Sequence, residues 1–279
     1  MGNRLHCGRF KLTLERPLIM GIVNVTPDSF STESPDFSID ASIELAWRLL
    51  QEGADMLDIG GESTRPGAQP VPESEELRRV IPVVRALRDC GVPLSVDTFK
   101  PAVMRQALDA GADMINDITA FRDPQALDLA ASSQCGVCVM HMLGEPRTMQ
   151  DAPRYTDVAT DVRNFLAQRC QALLQAGVQR QRIVIDPGFG FGKTVVHNYE
   201  LLRRMNEARV DDFPWLLGVS RKSMIGHVTG REPQDRVSGS IAAALAGIAR
   251  GAGIVRVHDV RQTYDAIRVW QAVENGVKQ

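Results

Sequence analysis

The clearest pattern along the chain is a recurring phrase in which a glycine and a small residue precede a short apolar run that ends in polar groups. Three copies stand at 52–60 (EGADMLDIG), 110–117 (AGADMIND) and 250–258 (RGAGIVRVH). Glycine just beyond a helix adopts the left-handed conformation at little cost. A short and nearly continuous apolar run is typical of a parallel strand buried on both faces. The phrase therefore predicts a helix end followed by a buried parallel strand.

Amphipathic stretches alternate with these apolar runs. Between 40 and 51, for example, apolar side chains recur at Ile43, Ala46, Leu49 and Leu50, as on one face of a helix. Asp123 followed by Pro124 is typical of a helix start. The predicted strands cover 18–24, 55–60, 93–97, 113–117, 137–141, 182–187, 215–220 and 253–258. The predicted helices cover 40–51, 74–89, 101–110, 124–129, 157–176, 198–208, 238–250 and 260–274.

Eight strands alternating with eight helices predict an α/β fold, a (β/α)8 TIM barrel, because a doubly wound sheet normally has fewer strands. The length of 279 residues is typical of one such barrel. Near the N-terminus, Phe10, Leu12 and Leu14 alternate with polar residues. This alternation predicts a small β-hairpin in 1–17 that closes the bottom of the barrel. The chain is thus expected to form a single domain over 1–279, with the barrel at 18–279.

Composition narrows the class of protein. Hydrophobic residues make up 44% of the chain, charged residues 24%, and the net charge is −2. This profile without a basic run argues against nucleic acid or an anionic membrane as partner. No apolar stretch approaches the roughly 20 residues that span a bilayer, and the N-terminus has no signal-peptide core. The five cysteines are scattered, and the CxxC at 135–138 enters an apolar run, which favours buried thiols over zinc or redox chemistry and predicts a cytoplasmic location.

The predicted strands all end in polar groups, and in this barrel the chemistry lies at those ends. One group suits the donor-rich edge of a flat heterocycle and consists of Asp97, Asn116 and Asp186. A second group suits a phosphate or diphosphate and consists of Ser220, Arg221, Lys222, Arg256 and His258. A single polar strand end also has a local explanation. Asp97 or Thr98 would cap the next helix, Asp259 would cap a helix, and Asn116 would stabilise a turn. Their convergence on one barrel mouth predicts a site for a small ring that carries a phosphate or diphosphate.

The segment 185–194 (IDPGFGFGKT) looks at first like a nucleotide-binding loop. The P-loop pattern would need glycine at position 187, where the chain has Pro187. ATP or GTP binding is therefore not predicted. Nor do Ser63 and Ser220 have an evident His–Asp pairing of the kind a nucleophilic serine requires.

Seven segments in order resemble the dihydropteroate synthases of the pterin-binding enzyme family. They are 20–31 (MGIVNVTPDSFS), 58–67 (DIGGESTRPG), 95–98 (SVDT), 115–117 (IND), 186–193 (DPGFGFGK), 220–223 (SRKS) and 256–259 (RVHD). The resemblance implies a TIM-barrel transferase of folate biosynthesis. It implies condensation of 6-hydroxymethyl-7,8-dihydropterin diphosphate with para-aminobenzoate to 7,8-dihydropteroate and pyrophosphate. It also implies Mg²⁺, a homodimer and binding of sulfonamide inhibitors.

Residue roles follow from the same resemblance. The residues implied to hold the pterin are Asp97, Asn116, Asp186 and Lys222, with Ile118 and Met140 against its ring. Those implied to bind the diphosphate are Arg256, His258 and Thr64, and Asn24 is implied nearest to Mg²⁺. The aminobenzoate is implied to contact Phe191, Lys222 and Ser223, with Gly190 also at the substrate. Loop closure is implied for Asp28, Phe30, Arg65 and Pro66, and a direct catalytic role for Lys222, Arg256, His258 and Arg65.

The resemblance also gives the 188–192 glycine run an interpretation. Glycine has no Cβ, so this run is expected to let the backbone pass close to a ligand. Phe189 and Phe191 are expected to supply flat apolar surface there. Lys193 is predicted to be a solvated lysine at the start of a helix.

One segment departs from the family pattern. After 28–31 (DSFS) the usual Asp-Gly-Gly is replaced by 32–36 (TESPD), which keeps acids at Glu33 and Asp36. Such loops gate a site more often than they define it, so altered loop dynamics with the same chemistry is expected.

Two other functions stay open from the sequence. One is a pterin-binding carrier module without synthase activity, which would not need the Arg256 and His258 pair or the 63–66 loop. The other is a sugar-phosphate lyase or aldolase, which usually has a Schiff-base lysine within a strand. The lysine at a strand end here is Lys222, beside Arg221.

Overall fold

The computed structural model describes residues 4–26, 39–63, 68–145 and 148–277. It begins with an antiparallel pair, β1 (Arg4–Cys7) and β2 (Phe10–Thr13). Eight parallel strands follow: β3 (Leu18–Asn24), β4 (Met56–Gly60), β5 (Leu94–Asp97), β6 (Met114–Asp117), β7 (Gly136–Met140), β8 (Ile183–Asp186), β9 (Trp215–Leu217) and β10 (Ala252–Val257). They close into a barrel because β10 pairs with β9 on one side and with β3 on the other. The predicted TIM barrel is confirmed.

The helices surround this barrel. They are α1 (Ile39–Gln51), α2 (Glu73–Leu87), α3 (Pro101–Ala110), α4 (Pro124–Ser132), α5 (Val158–Gln175), α6 (Val195–Arg203), α7 (Ser223–Thr229), α8 (Val237–Ile248) and α9 (Val260–Asn275). The prediction of eight was wrong, since the described ranges contain nine. Helix α7 is the additional one, and its seven residues are too few to show a helical period in the sequence.

Two helix starts show how local chemistry sets the boundaries. The Asp123 carboxylate accepts hydrogen bonds from the backbone of Gln125 and Ala126, which confirms the predicted cap of α4. Helix α6 begins at Val195 and not at 198 as predicted. Thr194 and His197 form a reciprocal capping box there, and this fixes the earlier start.

The N-terminal hairpin closes the bottom of the barrel, as predicted. Leu5 and Cys7 of β1 are fully buried and pack against an apolar layer inside the barrel. That layer consists of Met20, Met56, Met114, Cys138, Val184, Leu216 and Ile254, with Leu18 beside it. The bottom of the barrel is therefore a sealed apolar core.

The top of the barrel interior is polar because side chains on a strand alternate between its two faces. Two positions beyond Met56, Val184 and Ile254 of the apolar layer stand Asp58, Asp186 and Arg256. The residues between them, such as Leu57, Ile185 and Val255, belong to the outer core that packs against the helices. Strand alternation thus brings distant charged residues to one mouth.

The cysteines behave as the sequence predicts. All five are free thiols, and Cys135 and Cys138 are buried in separate apolar clusters. Burial raises the pKa of Cys135, so its thiol stays protonated. Within the described ranges, no helix combines the length and apolarity that crossing a bilayer requires.

Candidate active site

Arg256 joins two acids from other strands at the barrel mouth. Its Nε donates to Asp58 Oδ2 at 2.5 Å, and its Nη2 donates to Asp97 Oδ2 at 2.9 Å. Burial alone would lower the pKa of Arg256, but the two carboxylates raise it, so the guanidinium stays charged. The ends of β10, β4 and β5 are thereby tied together.

Asp58 is the residue that sequence reasoning missed. It is the first residue of the 58–67 segment, and the family resemblance implies no role for it. Its side chain is fully buried, and Oδ2 accepts from both Arg256 and Asn116, the latter at 3.1 Å. Its other oxygen, Oδ1, has no hydrogen-bond partner among the described residues. The signal that could have found it is its place two residues after the interior Met56.

The predicted ring-binding residues Asp97 and Asn116 face this network. Asp97 does not cap the following helix, because the N-cap position of α3 is Lys100. Burial raises the pKa of Asp97 to about 7, while Arg256 opposes the shift. Asn116 is buried and donates to Asp58 instead of stabilising a turn. The local explanations for both residues are thus excluded.

Asp186 stands at the start of the glycine run. Its Oδ1 accepts from the backbone N–H of Gly188 at 2.7 Å. Burial raises the pKa of Asp186, while Lys222 draws it down. The carboxylate and the turn that follows it are therefore fixed to each other.

Side chains hold the backbone carbonyls of 188–194. Lys193 donates to Gly188 and Phe191, Lys222 donates to Phe189, Gln150 donates to Gly190, and Tyr155 donates to Gly192. Asn198 donates to the carbonyls of 193 and 194. The loop has no regular structure of its own, so these bonds define its path.

Gly188 and Gly192 allow close packing between two loops, and the close approach of the glycine run to a ligand stays a prediction. Gly188 and Gly192 have φ of +66° and +63°. A Cβ on Gly188 would run into the backbone of His141, and one on Gly192 would run into that of Leu143. Phe189 is fully buried in the outer core, so its predicted place at the site was wrong. The loop can lie against the chain beyond β7 because these glycines carry no side chain.

Lys193 is buried, which corrects the prediction of a solvated lysine. Its side chain is 3% exposed. Its Nζ lies 2.9 Å from His141 Nδ1 and donates to the carbonyls of Gly188 and Phe191. Because Thr194 is the helix cap, Lys193 precedes the helix and its side chain turns inward beneath the glycine turn.

Lys222 and an apolar wall lie on the same side of the mouth. The Lys222 ammonium donates to Phe189 O and lies 4.6 Å from the centroid of the Phe191 ring. Burial lowers the pKa of Lys222 to about 8, although Asp186 favours its charge. Ile118 and Met140 form an apolar cluster there with Met142, Met149, Phe99 and Phe191. A flat ring could rest on this wall with charged groups at its edge.

The ends of β9 and β10 bring Ser220 and His258 together. The Ser220 hydroxyl lies 3.0 Å from His258 Nδ1 and accepts from the His258 backbone at 3.2 Å. Asp259 does not cap α9 with its side chain, contrary to expectation. Its carboxylate accepts from Arg221 Nε at 2.9 Å, so that arginine is neutralised locally. Among the described residues, Lys222 and Arg256 are the Lys and Arg side chains at the mouth with contacts to its acids or its glycine turn.

The remaining predicted residues fall into two groups. Asn24 is exposed at the end of β3, where it pairs in register with Gly60. Gly190 lies against Lys222, since a Cβ there would be 3.3 Å from Lys222 Cδ, and Ser223 is exposed at the start of α7. The other group lies outside the described residues and consists of Asp28, Phe30, Thr64, Arg65 and Pro66. The 32–36 segment also lies there.

Comparison with known proteins identifies the family of this chain. The family model described as pterin binding enzyme matches residues 20–258. The dihydropteroate synthase of Haemophilus influenzae is 49% identical over 275 residues, which cover 98% of this chain and 99% of that protein. That of Neisseria meningitidis serogroup B is 50% identical over 274 residues, which cover 95% of this chain and 96% of that protein.

Solved structures agree with these relatives. Burkholderia cenocepacia dihydropteroate synthase complexed with 7,8-dihydropteroate superposes with a TM-score of 0.90 at 57% identity, covering 97% of this chain and 96% of that one. The Xanthomonas albilineans enzyme with 4-aminobenzoic acid gives 0.92 at 52% identity, covering 99% of both chains. The Yersinia pestis enzyme in a sulfonamide drug complex gives 0.92 at 46%, covering 97% and 99%. This chain therefore belongs to the pterin binding enzymes and, among them, to the dihydropteroate synthases.

Proposed function

We propose that this chain condenses 6-hydroxymethyl-7,8-dihydropterin diphosphate with para-aminobenzoate, releasing 7,8-dihydropteroate and pyrophosphate. The observation that carries the proposal is the network in which Arg256 joins Asp58 and Asp97, with Asn116 bound to the same Asp58. In this network, carboxylates that could accept hydrogen bonds from the edge of a ring lie beside a guanidinium that could bind an anion. The Burkholderia and Xanthomonas enzymes, which bind dihydropteroate and 4-aminobenzoic acid, support the same pair of ligands.

In the proposed complex, the pterin edge meets Asp97, Asn116 and Asp186. A carboxylate can accept two parallel N–H bonds from an amino-pyrimidine edge, as it does from a guanidinium. Lys222 contributes a cationic donor, and the ring rests against Ile118 and Met140. The apolar cluster of Ile118, Met140 and Phe191 supports this pose, because it offers a ring an apolar surface beside a few polar groups.

The leaving diphosphate is proposed to bind Arg256 and His258. The bond between the pterin methylene carbon and the diphosphate oxygen breaks, and its electron pair stays on the diphosphate. Arg256 stabilises the developing negative charge from a fixed position, which is where such stabilisation acts most strongly. The methylene cation is stabilised by the electron-rich ring.

The aryl amine then attacks that carbon, forms the C–N bond and loses one proton to solvent. An aromatic amine is already unprotonated near neutral pH, so positioning is expected to matter more than a strong base. Arg256→Ala should lower kcat at least hundredfold, while Arg180→Ala at the opposite end of the barrel should leave it within twofold. Unchanged kcat in the first variant would contradict the leaving-group role.

Mg²⁺ is proposed to accompany the diphosphate. Among the described residues, no group of three or more His, Cys, Asp or Glu side chains could hold a metal. This fits Mg²⁺, which is commonly held by one or two protein oxygens together with substrate phosphates and water. The amide oxygen of Asn24, exposed at a strand end, is the proposed protein ligand. When bound, the metal neutralises charge on the leaving group.

The aminobenzoate is proposed to lie beside Phe191, Lys222 and Ser223. Gly190 borders the same place, and Arg65 and Pro66 are proposed to cover it together with Asp28 and Phe30, while Thr64 is proposed to help bind the diphosphate. Sulfonamides are proposed to occupy this subsite in competition with the aminobenzoate. The sulfonamide complex of the Yersinia enzyme supports that assignment.

A cytoplasmic homodimer is the proposed form. The free thiol state of all five cysteines supports a reducing compartment. Val269 and Val273 of α9 are 66% and 77% exposed and lie one turn apart, which gives apolar surface for a second copy. Light scattering of the purified chain should give the mass of two copies, and the mass of a single copy would contradict the homodimer.

One assay tests the activity. The chain is mixed with the pterin diphosphate, labelled aminobenzoate and Mg²⁺, and both pyrophosphate and labelled dihydropteroate are measured. Stoichiometric formation of both is expected, and sulfonamide should suppress it competitively. Tight pterin binding without either product would favour the carrier module instead.

A further inference from the structure

We propose that Lys193 is a positioning residue that fixes the Lys222 ammonium in the active site, acting through the 188–191 turn. The proposal deepens the proposed function, because it rests on Lys222 as a substrate-binding group. Lys193 itself lies beneath the turn and is not placed against substrate. Three sets of contacts carry the argument.

Lys193 holds both ends of the turn. Its Nζ donates to the carbonyl of Gly188 at 2.8 Å and to that of Phe191 at 3.2 Å. The same two residues are joined by the bond from Phe191 N–H to Gly188 O at 3.1 Å. Because the Lys193 side chain is 3% exposed, water has no access to replace these bonds.

The side chain of Lys222 is held by residues within this turn. Its ammonium donates to the carbonyl of Phe189 and lies 4.6 Å from the centroid of the Phe191 ring. Its Cδ lies beside Gly190. These three contacts all come from 189–191, so a shift of the turn displaces Lys222 from its place beside Asp186.

His141 anchors Lys193 to the neighbouring strand. Its Nδ1 lies 2.9 Å from Lys193 Nζ, and its ring packs edge-on against Phe165 with centroids 5.0 Å apart. His141 follows Met140, a residue of the apolar wall, and its backbone N–H donates to Asp186 O. Lys193 therefore connects the turn to a part of the barrel that is fixed by packing.

The contacts to the turn hold in either protonation state of this pair. Burial lowers the pKa of Lys193 well below its ordinary value and lowers that of His141 to about 2. An ammonium donates to all three partners. A neutral amine still donates to both carbonyls and can accept from a protonated Nδ1. Methionine at 193 has a similar chain length but no donor, so it would leave both carbonyls without this partner.

The test compares Lys193→Met with Lys222→Met, the double variant and a matched control. The control is Arg182→Met, because Arg182 is also buried and donates to two backbone carbonyls, those of Ala130 and Cys135. These bonds lie below β7 and β8, at the end of the barrel away from the mouth. Lys193→Met and Arg182→Met should each lower thermal stability, but of these two only Lys193→Met should impair the active site.

Lys193→Met is expected to lower kcat/KM for the pterin diphosphate at least tenfold. Adding it to Lys222→Met should cause no further loss, because the two residues act through one ammonium. Arg182→Met should stay within twofold of the parent at a temperature where every variant is folded. Independent, multiplicative losses in the double variant would overturn the proposal.

A second measurement does not depend on turnover. The rate at which trace acetic anhydride labels Lys222 is measured by mass spectrometry of the folded protein. The rate should rise at least threefold in Lys193→Met and stay unchanged in Arg182→Met. An unchanged rate in Lys193→Met would refute the positioning role, whereas a parent protein that forms no pyrophosphate would contradict the proposed function alone. If Lys193→Met does not fold, Lys193→Leu, which also has no donor, is subjected to both measurements with the same criteria.

Discussion

Asp58→Asn is the most informative single change at the barrel mouth. It keeps the size of the side chain and an oxygen that can accept from Arg256 and Asn116, but it removes the negative charge. The Arg256 and Asp58 side chains are 20% and 0% exposed, so this charge faces little water. Arg256 would then keep one carboxylate partner, Asp97, among its described contacts.

The expected magnitude follows from the geometry. Two unit charges about 4 Å apart attract by about 4 kcal/mol at the effective dielectric constant of about 20 that suits such sites. Loss of one partner from a buried pair costs about 3–5 kcal/mol. Since asparagine retains the hydrogen bonds, we expect Asp58→Asn to lower the free energy of unfolding by about 3 kcal/mol, at the lower end of this range. If the same energy orients Arg256 in the transition state, kcat/KM falls about hundredfold.

Asp55→Asn is the matched control. Asp55 also pairs with an arginine, Arg16, but at the bottom of the barrel, where the two side chains are 18% and 47% exposed. A surface pair of this kind contributes at most about 1 kcal/mol. Urea unfolding would measure the free energies, and pyrophosphate release would measure kcat/KM. Equal losses of stability in the two variants, or unchanged kcat/KM in Asp58→Asn, would refute this reasoning.

Three further predictions concern pH, backbone and metal. The plot of kcat/KM for the pterin diphosphate against pH should be bell-shaped, because protonation of Asp97, whose pKa is raised to about 7, removes acceptors at low pH, and loss of the Lys222 proton near pH 8 removes a cation at high pH. Lys222→Met should abolish the alkaline limb, and a flat profile over pH 6–9 would contradict both assignments. In urea unfolding, Gly188→Ala should lower the free energy of unfolding by at least about 2 kcal/mol more than Gly91→Ala, because both glycines have positive φ but only a Cβ on Gly188 would run into the backbone of His141. Equal effects would mean that the contact with His141 is relieved easily. Removal of Mg²⁺ with EDTA should stop pyrophosphate release and leave Tm unchanged, since no described cluster could hold a metal; a fall of several degrees in Tm would reveal a resident metal site.

The sequence by itself determined the barrel and the identity of most groups at its mouth. Short apolar runs after glycines predict parallel strands, and the strand-end positions of Asp97, Asn116, Asp186 and Arg256 predict that they meet. Both inferences depend on the two-residue alternation of a strand and on the closure of parallel strands. Alternation is a local property of each strand, and eight strands alternating with helices predict closure, so both can be predicted from the chain.

Only the tertiary structure decided which polar groups bind one another. Asp58 and Arg256 are 198 positions apart in the chain, and no local pattern marks them as a pair. Asp259 has the position of a helix cap but binds Arg221, because a guanidinium from the neighbouring strand end lies within reach. Lys193 has the sequence context of a solvated lysine, yet the packing of the glycine turn against His141 closes it from water. Burial and partner choice depend on chain segments that meet only after folding, and this is why the sequence predicted the groups at the mouth but not their pairing.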